Sequence, residues 1–242
     1  MRFTVLPNGE ALDREAAAFI WEAAEARPDL LICLASGGTP TGTYALLAQE
    51  PERLAHARFI QLDEWAGVAP EDPASCAHYL YRTVQDPLAV PPERWIGIRG
   101  DAPDAAAECR RVAAALEAAG PIDLCILGLG LNGHLALNEP AESFDPFCHV
   151  ATLAEQSRSH PMVAAAAHPV RQGLTLGLGD ILRARRILLM VSGAAKRTPL
   201  ARLAAPRITP TLPASLMWLH GDAVCLCDRE AAADTGLDDA DP

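Results

Sequence analysis

The stretch IDLCILGLGLNGHLALNEP, residues 122–140, starts as one kind of structure and ends as another. Its first half carries a short apolar run, residues 124–127, the pattern of a strand buried on both faces. Gly128, Gly130 and Gly133 then thin the backbone where the chain leaves that strand. Asn132, His134 and Glu139 follow, with Glu139 five residues beyond the histidine. If the segment turns back, the carboxylate reaches the imidazole. It then fixes the proton on one ring nitrogen and leaves the other free for proton transfer. A metal site is a competing reading, but neither HExxH nor a cysteine pair at ligand spacing is present. A structural histidine in a glycine turn is the plainer alternative.

Outward from this segment, other apolar runs alternate with helical patterns. DLLICLA (29–35), ARFIQLD (57–63), RRILLMVSG (185–193) and AVCLCD (223–228) read as strands, and GLTLGLG (173–179) as a strand running into a turn. Helical spacing covers 10–26, 41–49, 75–84 and 104–120, the last closed by Gly120. AAKRTPLARL starts helically, with Pro199 expected to limit it. The alternation predicts an α/β fold: one doubly wound, mainly parallel sheet with helices on both faces and right-handed crossovers. With 242 residues, half of them hydrophobic, and no internal linker, residues 1–228 are expected to form one domain. Residues 229–242 are expected to be an acidic, disordered tail.

The formal net charge of −11 and the absence of a basic run argue against nucleic acid as a partner. The opening residues lack the apolar region of a secretory signal, and runs such as Ile187–Val191 are too short to span a bilayer. The expectation is a cytoplasmic protein with no membrane partner; oligomeric state is not fixed. Seven cysteines, mostly flanked by aliphatic residues and without a CxxC, read as small buried hydrophobes.

In doubly wound sheets ligands gather at the carboxyl ends of the strands. The first strand above releases Ser36, Gly37, Gly38, Thr39 and Pro40, a set suited to an anion cradle or, equally, to a plain capped turn. It is not a Walker loop. The second releases Asp63 and Glu64, which point to opposite sides on extended backbone; a solvated acidic turn is the alternative. Lys196 follows the strand ending near residue 193, as a phosphate ligand or a surface lysine. His160 and His168 flank HPMVAAAAHP, a possible lid, without an assigned role.

SGGTP, LDEW, GLGLNGHLALNEP, and LTLGLGDIL followed by SGAAK occur in the order found in the glucosamine-6-phosphate deaminase/6-phosphogluconolactonase family, which the chain resembles over about Phe3–Asp228. LICLASGGTP, FIQLDEW, CHV and PASLMWLH look like the branch that isomerises and deaminates galactosamine 6-phosphate. The resemblance implies a modified Rossmann-like fold and no metal or organic cofactor. It implies ring opening, proton transfer from C2 to C1 and release of ammonia, yielding tagatose 6-phosphate from the galacto epimer. By position, Asp63 matches the base at C2, His134 the ring-opening acid/base and Glu139 its partner. Ser36, Gly37, Gly38 and Thr39 match the phosphate loop, and Lys196 the phosphate lysine. Asn132 stands where the glucosamine enzymes usually carry an acid. The family's phosphate arginine falls near Val163 here, leaving Arg158 or Arg171 as substitutes. Glucosamine-6-phosphate deaminase and 6-phosphogluconolactonase remain alternatives, as does a non-catalytic sugar-phosphate sensor, although no basic helix-turn-helix segment accompanies the domain.

Overall fold

The protein is described from a computed structural model that covers residues 1–159 and 161–237. Its strands are β1 (Arg2–Leu6), β2 (Leu31–Leu34), β3 (Arg58–Gln61), β4 (Asp63–Trp65), β5 (Trp95–Ile96), β6 (Leu124–Gly128), β7 (His149–Thr152), β8 (Gln172–Thr175), β9 (Arg186–Val191) and β10 (Ala223–Asp228). Seven of them form a sheet in the order β1-β10-β9-β6-β2-β3-β5, every pairing parallel. β2 and β6 lie side by side, and from them the chain winds outward in both directions, so the topological switch falls between their carboxyl ends.

Alternate residues of each strand feed two cores. Cys33, Ile60, Cys125, Leu127, Ile187, Leu189, Cys225 and Cys227 face one layer, with Val112, Leu178, Ile181, Leu200 and Leu203 of the covering helices. Ile32, Leu34, Phe59, Leu124, Ile126, Leu188, Met190 and Leu226 face the other, against Leu12, Ile20, Tyr44, Leu47, Leu80 and Val84. Helices therefore cover both faces. All seven cysteines are free, and six are buried.

With both faces apolar, polarity alternation cannot set strand register. Polar groups at the strand ends do it instead. At the amino ends Asp123, 8% exposed, accepts the Leu31 N–H at 2.8 Å on Oδ2. Its Oδ1 accepts from Arg27 at 2.8 Å and Arg185 at 3.0 Å, joining β2, β6 and β9. At the carboxyl ends Asp228 accepts from Ser192 Oγ at 2.5 Å and from the Gly193 N–H.

Asp228 also receives the Ala231 N–H at 2.8 Å and so caps a helix at Arg229–Ala232, whose Ala231 and Ala232 are buried. This corrects the expectation of disorder from residue 229: a cap and two buried alanines order the start of that stretch. Residues 238–242 lie outside the described residues. Pro199 does not shorten its helix. It occupies the first turn of Arg197–Ala204, where no intrahelical donor is needed.

A second, smaller sheet was not expected. β8 pairs antiparallel with β4 and β7, in the order β4-β8-β7. The chain crosses between sheets at Leu62. Its N–H donates to Leu34 O of the large sheet at 3.1 Å, and its C=O accepts from Leu176 N at 3.0 Å beside the small one. Asp63 is the first residue past that crossing.

Replacing Asp123 with Ala leaves the buried Leu31 N–H without its partner. The expected loss is about 2 kcal/mol of unfolding free energy, read by urea denaturation, with catalytic constants unchanged in the folded fraction because Asp123 sits at the end of the sheet away from the cavity described next.

Candidate active site

A cavity of about 240 Å³ opens at the carboxyl ends of β2, β3 and β6. Ser36, Gly37, Gly38 and Thr39 line one side, Asp63 another, Asn132 and His134 a third, and Lys196 completes the wall. The switch point between β2 and β6 thus gathers loops that are far apart in sequence.

The Asp63 carboxyl is 9% exposed and accepts no hydrogen bond among the described residues. Burial, reinforced by the neighbouring negative charge of Glu64, pushes it up from the ordinary aspartate value to about 7. Glu64 points away from the cavity, fully buried and ringed by donors.

The glycine segment is shaped around the imidazole. A Cβ on Gly130 would sit 2.3 Å from His134 Cδ2 and 2.4 Å from Nε2, so only glycine leaves room for the ring. Gly133 has φ +90°, and its N–H donates to Gly130 O at 2.9 Å, closing the turn. Ala136 adopts φ +52°, Leu135 bridges to Asn138, and Asn138 Nδ2 donates to Leu135 O at 3.0 Å and Leu176 O at 2.9 Å. That second turn brings Glu139 back onto His134, which is why five residues separate them.

Glu139 Oε2 lies 3.1 Å from His134 Nδ1 and accepts from Asn132 Nδ2 at 2.7 Å, while Oε1 accepts the Ala154 N–H at 3.2 Å. Burial alone would raise this carboxyl. The bond and charge of His134, with help from Ser157 and Asn132, outweigh it and hold Glu139 at about 2. Asn132 also accepts the His134 N–H on Oδ1 at 3.1 Å, so one amide braces both members of the pair. An ionised Glu139 accepts a hydrogen bond from Nδ1–H, which keeps the proton on that nitrogen and leaves Nε2 unprotonated.

Ser157 Oγ stands 3.3 Å from His134 Nδ1. Nothing in the local pattern LAEQSRSH marks this serine, and only the fold brings it to the histidine. Gln156, Ser157, Ser159 and Pro161 contribute the remaining wall. Arg158 and Arg171 do not. Both are exposed and neither lines the cavity, which corrects the expectation that one of them faces it: Arg158 lies on the outside of the short helix Glu155–Arg158, and Arg171 precedes β8. Among the described lining residues Lys196 is the one Lys or Arg; its Nζ donates to Leu129 O at 2.5 Å, and burial pushes the ammonium below its usual value. His160 lies outside the described residues. Across them no group of three or more His, Cys, Asp or Glu is arranged to hold a metal.

A cavity of this make can exchange protons at two separate points while an anion rests against amides, hydroxyls and one ammonium.

Residues 8–225 match the family described as glucosamine-6-phosphate isomerases/6-phosphogluconolactonase. The chain is 37% identical to AgaI of Escherichia coli (strain K12), named as a deaminase, over 90% of this chain and 88% of that one. It is 36% identical to glucosamine-6-phosphate deaminase 1 of Bacillus subtilis (strain 168), over 93% and 95% respectively. Among solved structures, a monomeric glucosamine-6-phosphate deaminase superposes with a TM-score of 0.90 at 35% identity, covering 96% of this chain and 99% of that one. The 6-phosphogluconolactonase of Trypanosoma brucei shares the fold, with a TM-score of 0.71 at 23% identity over 96% and 97%. The chain therefore belongs to the glucosamine-6-phosphate isomerase/6-phosphogluconolactonase family of enzymes.

Proposed function

We propose that the protein isomerises and deaminates an amino-hexose 6-phosphate, with galactosamine 6-phosphate as the favoured epimer and tagatose 6-phosphate and ammonia as products. The observation that carries this reading is Asp63: a buried carboxyl that accepts no hydrogen bond among the described residues and lines the same cavity as His134, the partner of Glu139; burial pushes it up to about 7. A lactonase needs the histidine to activate water but has no proton to take from carbon, so it gives such a base no task. The galacto epimer rests on the likeness of LICLASGGTP, FIQLDEW and PASLMWLH to that branch.

In this reading the glycine loop and Lys196 grip the phosphate, and that remote grip orients the reacting carbons. His134 Nε2 takes the proton of the anomeric hydroxyl, and the imidazolium returns one to the ring oxygen as the pyranose opens. Glu139 stabilises the transient charge. Asp63 takes the C2 proton while O1 gains one from the substrate's own ammonium, giving an enolamine, and Asp63 then delivers its proton to C1. The resulting C2 iminium adds water, and ammonia leaves. Asn132 keeps Glu139 and His134 in register and carries no proton. No metal or organic cofactor enters these steps.

Because Asp63 acts in its ionised form, kcat/KM for ammonia release rises with pH and levels off, with its midpoint near 7. Asp63→Asn removes that acceptor at every pH. Ammonia release is expected to fall by about a thousandfold, while any turnover of 6-phosphogluconolactone stays at its wild-type level. Loss of both activities together would defeat the assignment of Asp63 to carbon chemistry.

An ammonia-release assay on both epimers tests the sugar. Galactosamine 6-phosphate is expected to give the higher kcat/KM, and a clear preference for glucosamine 6-phosphate would transfer the protein to that substrate.

Gly130→Ala tests the histidine. The added methyl overlaps the ring and shifts it by about an ångström, which lowers kcat/KM by about a hundredfold, as measured by steady-state kinetics on folded protein.

A further inference from the structure

Glu64 stands one residue from Asp63 on β4, yet it takes no part in the chemistry above. Its carboxylate has no exposure to solvent. Oε1 accepts the N–H groups of Trp65 at 2.8 Å and Cys76 at 2.9 Å. Oε2 accepts from Ser75 Oγ at 2.8 Å, the Ala77 N–H at 2.7 Å and Gln61 Nε2 at 3.1 Å. Five donors meet it, and no Lys, Arg or His forms an ion pair with it among the described residues. A protonated acid would have to place its own hydrogen where a donor already points, so this shell suits the anion. Burial raises the Glu64 carboxyl above its ordinary value, and the bonds from Ala77, Cys76, Trp65 and Ser75 offset only part of that rise.

The donors tie separate pieces of the site together. Gln61 also gives Nε2 to Asp63 O at 2.8 Å and accepts the Ile98 N–H at 3.0 Å, bracing β3 across the crossing into β4. Ser75 caps the helix Cys76–Leu80 by accepting the His78 N–H at 3.2 Å. From that helix Tyr79 OH lies 2.9 Å from Thr41 Oγ1, and Thr41 Oγ1 donates to Gly37 O at 3.1 Å. One carboxylate thus anchors the strand of the base to the helix that braces the glycine loop.

We propose that Glu64 is a positioning residue for Asp63: its clamped, buried carboxyl fixes the strand that carries the base and, in its ionised form, sets a negative charge behind it. The inference rests on the reading of Asp63 as the base. The other ionisable groups around Asp63 are Cys33 on β2, Tyr44 on the helix Thr41–Leu47 and Cys76 on the helix Cys76–Leu80, all held neutral by burial, with His134 and Lys196 across the cavity. Glu64 is the neighbour whose charge acts on it.

The test pairs Glu64→Gln, which removes the charge, with Glu64→Asp, which keeps the charge but shortens its reach. In Glu64→Gln the acid limb of kcat/KM is expected to move to lower pH by about one pH unit, and kcat on the plateau to fall about tenfold, as a weaker base requires, with KM little changed. In Glu64→Asp the limb stays near its wild-type position while kcat falls. A purely structural role would lower thermal stability in both variants and leave the limb in place, which would overturn the proposal. Should Glu64→Gln fail to fold, a Glu64→Asp enzyme with wild-type kcat would overturn it as well. A readout without substrate separates this from the functional reading. The carboxyl carbon signal of Asp63, assigned by its absence in Asp63→Asn protein labelled with ¹³C at aspartate, is followed against pH. It is expected to titrate near 7 in the wild type and about one pH unit lower in Glu64→Gln. An unmoved titration defeats the proposal about Glu64, whereas a wild-type protein that releases no ammonia from either epimer defeats the proposed activity alone.

Discussion

Leu62 hydrogen-bonds to two sheets at once. Its N–H belongs to the parallel sheet through Leu34, and its C=O meets Leu176 beside the antiparallel one. A backbone leaving a buried sheet ordinarily strands a donor or an acceptor away from water, at a cost comparable to a lost hydrogen bond. Here the chain changes partners without leaving either group unmet. The side chain of the very next residue can therefore be both buried and aimed at the switch point. A loop in that place would have been solvated, and a solvated aspartate is ionised far below neutrality.

The acids of this chain show how one functional group is put to different uses by the donors around it. Asp63 has none among the described residues, and burial pushes it up to about 7. Glu139 has the imidazole, an asparagine and a backbone amide and lies at about 2. Glu64 has five donors and no cation. Asp123 has two arginines and a strand amide at the far end of the sheet. Burial is common to all four. What differs is the set of donors around each, and in the proposed reaction those sets separate a proton carrier from an orienting partner, an anchor and a fastener.

Much of the scaffold was legible because a parallel strand buried on both faces appears as a mostly apolar run, and β2, β6, β9 and β10 do. The strands missed have no such signature. β4 is three residues with two acids, and it exists because Gly173 of β8 lets it come close: a Cβ there would lie 2.9 Å from Glu64 O. β7 opens with a half-buried histidine and is held by β8 alone. In the cavity, the glycine segment could be singled out because residue type and spacing carry the chemistry, whereas Asp63 stood out only through the resemblance to the family. Ser157 could not, since its meeting with His134 is made by tertiary structure. Arg158 and Arg171 flank the position of the family's phosphate arginine, but position along the chain does not say which side of a helix faces the cavity. Glu64 resembled a solvated turn acid because its donors come from residues 61, 65 and 75–77, most of them backbone amides that a string of side chains does not display.

The two rims of the large sheet do separate jobs, Asp123 and its arginines at one and the cavity at the other. Stabilised versions of this protein are best sought at the first rim. Better caps, charge partners and proline-stiffened turns there can add robustness while the cavity keeps the burial and near-neutral acid on which the proposed chemistry depends.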